Sequence, residues 1–338
     1  MELMSPPDAM CMLAESREHP MHVGALQLFT PPADAGPQYA RDTYEAMLKC
    51  DDVAPLFTKR PARVMGAMSN VWCSPDAEID LDYHVRHSAL PAPGGVSELL
   101  ELTAHLHGTL LDRHRPLWET HLIEGLQDGR FAIYTKLHHA MVDGVSGLRL
   151  LQGSLTTDPH DTDFRMPWSP PKQNEAARPK PGRVQQVSRL AKSAAAMAPS
   201  TLRLAHAALS EQQMALPYRA PRTMLNVPVG GARRLAAQSW SLDRIAVIKK
   251  AAGASVNDVV LAMCAGALRA YLLEHDALPQ APLIALVPVS LLTDDSVGGN
   301  AVTGALCNLA TQLADPAARL FTIQPSMRDN KKMLSQLP

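Results

Sequence analysis

The sequence predicts an α/β protein organised as two domains. Three observations predict it. The first half alternates strand-like and helix-like segments, a proline-punctuated basic stretch interrupts that alternation, and a similar strand–helix plan then restarts. The chain of 338 residues is long enough for two domains or one large one, and 46% hydrophobic against 19% charged residues reads as globular.

In order along the first half, residues 23–29 read as a strand closed by Pro31 and Pro32, and 38–50 as an amphipathic helix. Residues 81–85 read as a short strand. In 96–109 the spacing of Leu99, Leu100, Ala104 and Leu106 places them on much of one helical face. Residues 118–124 and 130–137 read as paired strands joined by the turn Gln127-Asp128-Gly129, and 145–152 as the next helix. From Glu175 to Arg222 there are eight Lys or Arg against two Glu, with Pro179, Pro181, Pro199, Pro217 and Pro221 between short Ala- and Leu-rich pieces. This reads as a crossover linker, either a solvated connector or a basic surface that touches anionic lipid. The second half opens with a strand over 233–242 and a helix over 243–252. Ser255 then caps a long helix running to about Leu273, with Asp258 reaching back as a capping box. Residues 283–290, an apolar run bounded by prolines, read as a buried strand. The tail 321–338 is polar and weakly patterned. The expected division is 1–165, a linker at 166–223, and 224–338.

Composition excludes several classes. The net charge of −1 provides no overall field for nucleic acid or anionic lipid. Cys11, Cys50, Cys73, Cys264 and Cys307 are odd in number, scattered and without a CxxC pair, which argues against a disulfide framework or a zinc site and for a reducing compartment. The N-terminus lacks the basic start and apolar stretch of a secretory signal. The longest apolar run, 259–268, stops at Arg269, short of the roughly 20 residues of a spanning helix.

The chemistry concentrates in Thr135-Lys136-Leu137-His138-His139-Ala140-Met141-Val142-Asp143-Gly144-Val145-Ser146-Gly147. An apolar strand runs into two histidines, and Asp143-Gly144 turns into a helix. A histidine on a rigid strand end can face a cleft, and an unperturbed pKa near 6.5 suits proton abstraction at neutral pH. Adjacent residues leaving a strand point to opposite sides, so one histidine can meet substrate while the other packs. Asp143 can hold the loop through backbone amides or an ion pair, and Gly144 supplies backbone freedom for the turn. Three other readings compete. The histidines could be structural, or His138 or His139 could ligate a metal with Asp143, though no third ligand is nearby. A serine-hydrolase elbow is excluded, because Gly144-Val145-Ser146-Gly147-Leu148 fails G-x-S-x-G, leaving Ser146 as a cap or turn residue.

These residues resemble the wax ester synthase/acyl-CoA:diacylglycerol acyltransferases of bacteria, the mycobacterial triacylglycerol synthases above all. HHxxxDG alone marks the wider CoA-dependent acyltransferase superfamily, including peptide-synthetase condensation domains. More specific are Ser5-Pro6-Pro7-Asp8-Ala9-Met10, the run from Glu15 to Gly24, the run from Asp80 to Leu90, Pro116-Leu117-Trp118-Glu119, Val256-Asn257-Asp258-Val259-Val260, and Gly299-Asn300 after Pro288-Val289-Ser290. The match extends from the N-terminus to at least Leu320.

The resemblance implies a chloramphenicol-acetyltransferase-like α/β fold, two domains flanking an active-site tunnel. It implies His139 as general base, His138 as its support, Asp143 as loop organiser and Gly144 at the turn. Trp118, Asn257, Asp258 and Asn300 would line or support the tunnel; for Asn257 and Asp258 helix capping is the competing role. No cofactor or metal is implied, acyl-CoA being a substrate. The implied partners are fatty acyl-CoA and diacylglycerol or a long-chain alcohol, with no nucleic acid. The implied location is cytoplasmic, open to a peripheral place on the inner membrane face or a lipid-droplet surface. Two departures stand out. Relatives usually extend beyond residue 338, so the second domain is expected to be incomplete and the chain truncated. Many relatives also carry an arginine where Leu292 stands, which would leave Asp143 without an ion-pair partner unless Arg149 or another cation substitutes. The alternatives to an active enzyme on these lipids are an impaired remnant that binds lipid or a homologous partner, and an acyltransferase acting on a polyketide or other alcohol.

Overall fold

In the computed structural model, which describes residues 1–64, 67–158, 164–170, 220–290 and 302–334, the chain divides into two compact units. The first takes the described residues up to 170 and Val229–Ala237; the second takes 220–228 and the described residues from 238 onward. Most of the expected linker 166–223 lies outside the described residues, as do Leu292 and Asn300.

The first unit opens with β1 (Glu2–Leu3) and α1 (Pro6–Ala14), where Ser5 Oγ accepts from the Asp8 amide at 3.3 Å. There follow β2 (His22–Phe29), α2 (Tyr39–Leu48), β3 (Lys59–Val64), β4 (Ala67–Pro75), α3 (Leu81–His84), β5 (Val85–Ala89), α4 (Val96–Gly108), β6 (Trp118–Glu124), β7 (Phe131–His138) and α5 (Gly144–Gly153). β1, β4 and β3 form a small antiparallel sheet. The main sheet has the order β2-β7-β6-β5, antiparallel except for β5 beside β6, and α4 makes the crossover between these two parallel strands. The turn between β6 and β7 needs its glycine, since Gly129 has φ of 78°.

β7 is central, and all eight of its residues are buried. Its alternate side chains serve two cores. Leu137 and Ile133 join Trp118, Leu122, Phe57, Met47 and Trp168 on one face. Tyr134 and Ala132 join Ile123 and Leu99 of α4 on the other. At about 25 cal/mol per Å² of apolar surface, these two faces supply most of the drive that fixes β7, and with it the position of the two histidines.

The strand expected over 81–85 is instead the short helix α3 followed by β5. Asp80 accepts from the Tyr83 amide at 3.2 Å and caps α3, so pairing with β6 begins only at Val85.

The second unit holds α6 (Leu242–Ala252), α7 (Val256–Glu274), β8 (Ile284–Ser290), β9 (Val302–Asn308) and α8 (Pro316–Leu334). Ser255 and Asp258 form the expected capping box at the start of α7, and Gly253, at φ of 60°, terminates α6. Three expectations are corrected here. Residues 233–240 form no strand, because no neighbouring strand among the described residues offers them a ladder. β8 is not fully buried: Ala285, Val287 and Val289 face the core, while Leu286 is 70% exposed, as in a two-stranded sheet covered on one side. The tail beyond Leu320 is helical through Leu334, because Leu320, Ile323 and Met327 recur at helical spacing and are buried, and Asp315 caps the helix through the Ala318 amide. α7 is long and apolar enough on average to span a bilayer. It buries Val259, Ala265 and Leu272, and Arg269 donates to the carbonyls of Thr311 and Gln312 in its own unit.

Candidate active site

The site is built at the end of β7. Register places His138 opposite His22 of β2, and the His138 amide bonds the Leu117 carbonyl at 3.0 Å. The next amide, that of His139, bonds the Met21 carbonyl at 2.7 Å. The two histidines are thus tied to the segments that precede β6 and β2. Their exposures differ: His138 is 0% exposed, while His139 is only partly buried.

His138 has a defined tautomer. Its Nδ1 accepts from the Ala140 amide at 3.0 Å, so the proton of the neutral ring lies on Nε2. That nitrogen lies 3.3 Å from Glu15 Oε1, within ion-pair reach although off hydrogen-bond alignment. Glu15 is itself buried. It accepts from the Met21 amide at 3.2 Å and from Arg113 Nε and Nη2 at 3.1 and 2.8 Å. Burial alone would raise its pKa. The contacts with His138, Arg113 and Met21 outweigh that and bring it down to about 2. Neither Glu15 nor Arg113 was singled out as a site residue from sequence. The only available sign was the position of Glu15 at the head of the Glu15–Gly24 block; the pairing with Arg113, 98 positions away, is invisible to local pattern.

Asp143 is buried and caps α5, its Oδ1 accepting from the Ser146 amide at 2.7 Å. Of the two routes expected for it, the described residues show the backbone amide. Ser146 supplies the capped amide. Asp143 Oδ2 is buried and has no hydrogen-bond partner among the described residues, and Arg149 is exposed and forms no ion pair with it. Gly144 corrects the sequence reading. It is the first residue of α5, its φ lies outside the left-handed region, and a Cβ there meets nothing within 4 Å, so the turn requires no glycine.

Trp118 sits in the core and not on a ligand-facing wall. It is 1% exposed, stacks on His84 at 4.4 Å and Trp168 at 5.1 Å, and donates from Nε1 to the Phe57 carbonyl at 2.9 Å. Its position backs β6 from the core side. In the second unit Asp258 completes the capping box, with Oδ2 accepting from the Ser255 amide at 2.8 Å, and Asn257 is exposed.

A second buried polar group lies under α4. Lys136 Nζ donates to the carbonyls of Leu106 and Thr109 at 2.7 and 2.8 Å and pairs with Glu119 at 2.5 Å, with His121 3.5 Å from the same carboxylate oxygen. Burial pulls the Lys136 pKa down, with Glu119 opposing. The lysine neutralises the negative end of α4 and fixes it to β7. His22 Nε2 lies 2.6 Å from the His107 carbonyl. Burial, reinforced by the charge of Lys136, brings its pKa down to about 4 against the partial opposition of that bond. Among the described residues no group of three His, Cys, Asp or Glu could hold a metal ion.

Comparison with known proteins settles the family. The model of the wax ester synthase/diacylglycerol acyltransferase catalytic domain matches residues 4–260. The chain belongs to this family. It is therefore an acyltransferase, and the α/β acyltransferase fold is the expected one. A Mycobacterium tuberculosis protein whose name assigns it to the diacylglycerol O-acyltransferases is 65% identical over 336 residues, covering 99% of this chain and 75% of that protein. A Mycobacterium bovis protein similarly named is 56% identical over 342 residues, 100% of this chain and 75% of its own length. The structure is similar to the wax ester synthase/diacylglycerol acyltransferase from Marinobacter aquaeolei VT8, with TM-score 0.74 and 35% identity over 98% of this chain and 72% of that one. A condensation domain of the calcium-dependent antibiotic synthetase shares the fold, with TM-score 0.59 and 15% identity over 98% of this chain and 75% of that one.

Proposed function

We propose that the chain transfers a fatty acyl group from acyl-CoA to the hydroxyl of diacylglycerol or a long-chain alcohol, with His139 as general base. His139 takes the hydroxyl proton, and the oxygen attacks the thioester carbonyl. The carbon–sulfur bond then breaks, and the proton passes to the departing thiolate, so that CoA leaves as a thiol without an acyl-enzyme. The observation that carries this reading is the asymmetry of the pair: His138 is sealed against Glu15, while His139 leaves the same rigid strand end with part of its surface open. A positioned base contributes about 10²- to 10⁴-fold, and alignment of two bound substrates supplies much of the remainder.

In this reading residues 1–165 hold the base, and most of 224–338 forms the second unit, apart from Val229–Ala237, which belong to the first. Glu15 and Arg113 position the histidines, and Asp143 organises the loop. Trp118 supports β6 from the core, while Asp258 caps α7 in the second unit. Fatty acyl-CoA and diacylglycerol partition into membranes, so a cytoplasmic protein lying peripherally on a membrane or lipid-droplet surface suits this chemistry.

The test is incubation with labelled palmitoyl-CoA and either diolein or hexadecanol, beside His139→Ala. Product that disappears in the variant supports the reading. Product that survives removes His139 from the role of base, and no product from the folded native chain removes the activity itself.

A further inference from the structure

A shallow cleft of about 340 Å³ opens on the first unit where three backbone segments meet: the loop bearing Arg17, the C-terminal turn of α4 with His105, Gly108 and Thr109, and the loop Gly231 to Arg233. The segments pack backbone to backbone. A Cβ on Gly108 would stand 3.2 Å from the Gly231 carbonyl, and one on Gly231 would stand 3.7 Å from the Arg17 carbonyl. The cleft is therefore a product of close chain crossing and not of side chains splayed at the surface.

Its charge is one-sided. No carboxylate lines it among the described residues. Arg17 is exposed and makes no ion pair among them. Among the described residues Arg233 is held by carbonyls alone, donating from Nη1 to Gly230 and Ala232 at 2.6 and 3.0 Å and from Nη2 to the Glu18 carbonyl at 2.9 Å. Those bonds fix the guanidinium, and no carboxylate among the described residues pairs with it. Nearby acids are engaged elsewhere, Glu15 by Arg113 and the Glu18 carboxylate by Ser16 Oγ at 3.3 Å. At the carbonyl end of α4, Leu106 and Thr109 already accept from Lys136.

Two of its lining segments continue directly into residues that contact the histidine pair or its neighbour. Arg17 is two residues beyond Glu15, which touches His138. Gly108 follows His107, whose carbonyl bonds His22, the register partner of His138. We propose that this cleft binds phosphate esters, namely the phosphate groups of the CoA moiety of the acyl donor, with Arg17 and Arg233 as the binding cations. Guanidinium groups suit this work because each presents several fixed donors to phosphate oxygens. The proposal rests on the acyl-CoA reading above. An anionic lipid headgroup carries the same chemistry, and the test separates the two sources.

The experiment compares the native chain with the Arg17→Ala/Arg233→Ala double variant on two donors, palmitoyl-CoA and S-palmitoylpantetheine. They share the thioester, and only the first carries phosphates. The expected result is a loss in kcat/KM of about ten-fold per arginine with palmitoyl-CoA, carried by KM, and little change with S-palmitoylpantetheine. Arg17→Lys/Arg233→Lys should recover part of the loss. Equal losses with both donors, or none with either, would overturn the proposal. If the native chain uses neither donor, the acyl-transfer reading fails, and equilibrium dialysis against free CoA still decides the cleft: unchanged affinity in the double variant overturns it, weakened affinity sustains it. Binding to phosphatidylglycerol vesicles is measured in parallel. A variant that loses vesicle binding but keeps its CoA affinity would assign the cleft to lipid headgroups and refute the CoA assignment.

Discussion

Glu15 Oε1 lies 3.3 Å from His138 Nε2, and the same oxygen accepts from the Met21 amide, whose carbonyl in turn binds the His139 amide. One buried carboxylate therefore holds both histidines, one through its ring and the other through its backbone. Glu15→Ala should lower kcat by about 10- to 100-fold, since small displacements of a reacting group are costly. It should also destabilise the fold by about 1–3 kcal/mol, because the Met21 amide loses its acceptor and Arg113 loses the Glu15 carboxylate. Steady-state kinetics and urea unfolding measure the two effects. Glu15→Gln, which keeps the acceptor for Met21, should recover more stability than activity.

The two histidines should separate in their behaviour. His139→Ala should remove about 10²-fold or more of the rate with little loss of stability, because the side chain is partly open. His138→Ala deletes a fully buried ring that receives the Ala140 amide, so its thermal midpoint should fall clearly. A variant pair with the opposite pattern would exchange their roles.

Acid should weaken the fold in two stages. The folded-state pKa of His22, about 4, lies below the ordinary histidine value of 6.5. Between those values the unfolded chain binds a proton that the folded chain refuses, so stability falls as pH drops from 6.5 towards 4, by up to about 1.4 kcal/mol per pH unit. His84 and His107, lowered chiefly by burial, act in the same direction. Glu15 and Glu119, both at about 2, contribute stability that is complete above 4.5 and is lost as pH falls towards 2. Urea unfolding at several pH values should show both stages, and His22→Gln should flatten only the first.

Asp143 offers a clean distinction between cap and charge. Asp143→Ala removes the acceptor for the Ser146 amide and should cost about 1 kcal/mol. Asp143→Asn keeps that acceptor, and the described residues give Oδ2 no hydrogen bond to lose. Its stability should stay within about 0.5 kcal/mol of the native chain. A large loss in the asparagine variant would show that the negative charge itself holds the loop.

Gly24→Ala tests the packing behind the pair. The added Cβ would stand 2.7 Å from the Tyr134 hydroxyl and 3.0 Å from His107 Nδ1, which are themselves 2.8 Å apart. Displacing that pair should cost about 1–3 kcal/mol, seen as a lower melting temperature.

Much of this framework was legible in local signals. The hairpin of β6 and β7 followed from two apolar runs about a turn residue, and the capping box from Ser255 and Asp258. The histidine pair was legible because a core strand running into His-His and an Asp-Gly turn is an uncommon pattern. Other elements depended on partners far away. α3 replaced an expected strand because Asp80 caps it, a competition hydrophobic pattern does not record. The stripe of Leu320, Ile323 and Met327 was masked by Thr322, Gln324 and Pro325 between them. Lys136 reads as an interruption of an apolar strand until Glu119 and the end of α4 are seen to surround it. The apparent need for glycine at 144 also dissolved, because the turn there is an ordinary capped helix start.

Lys136 has one more implication for a protein that handles activated thioesters. Such compounds acylate free amines without any catalyst, and the lysine two residues before the histidine pair stands closest in sequence to that hazard. Here its ammonium group has no exposed surface, and each of its three hydrogens is committed, to Leu106, to Thr109 and to Glu119. A lone pair cannot be presented to an electrophile without first unpacking the end of α4. The framework that aligns the histidines thus also keeps the amine nearest them in sequence out of the reaction.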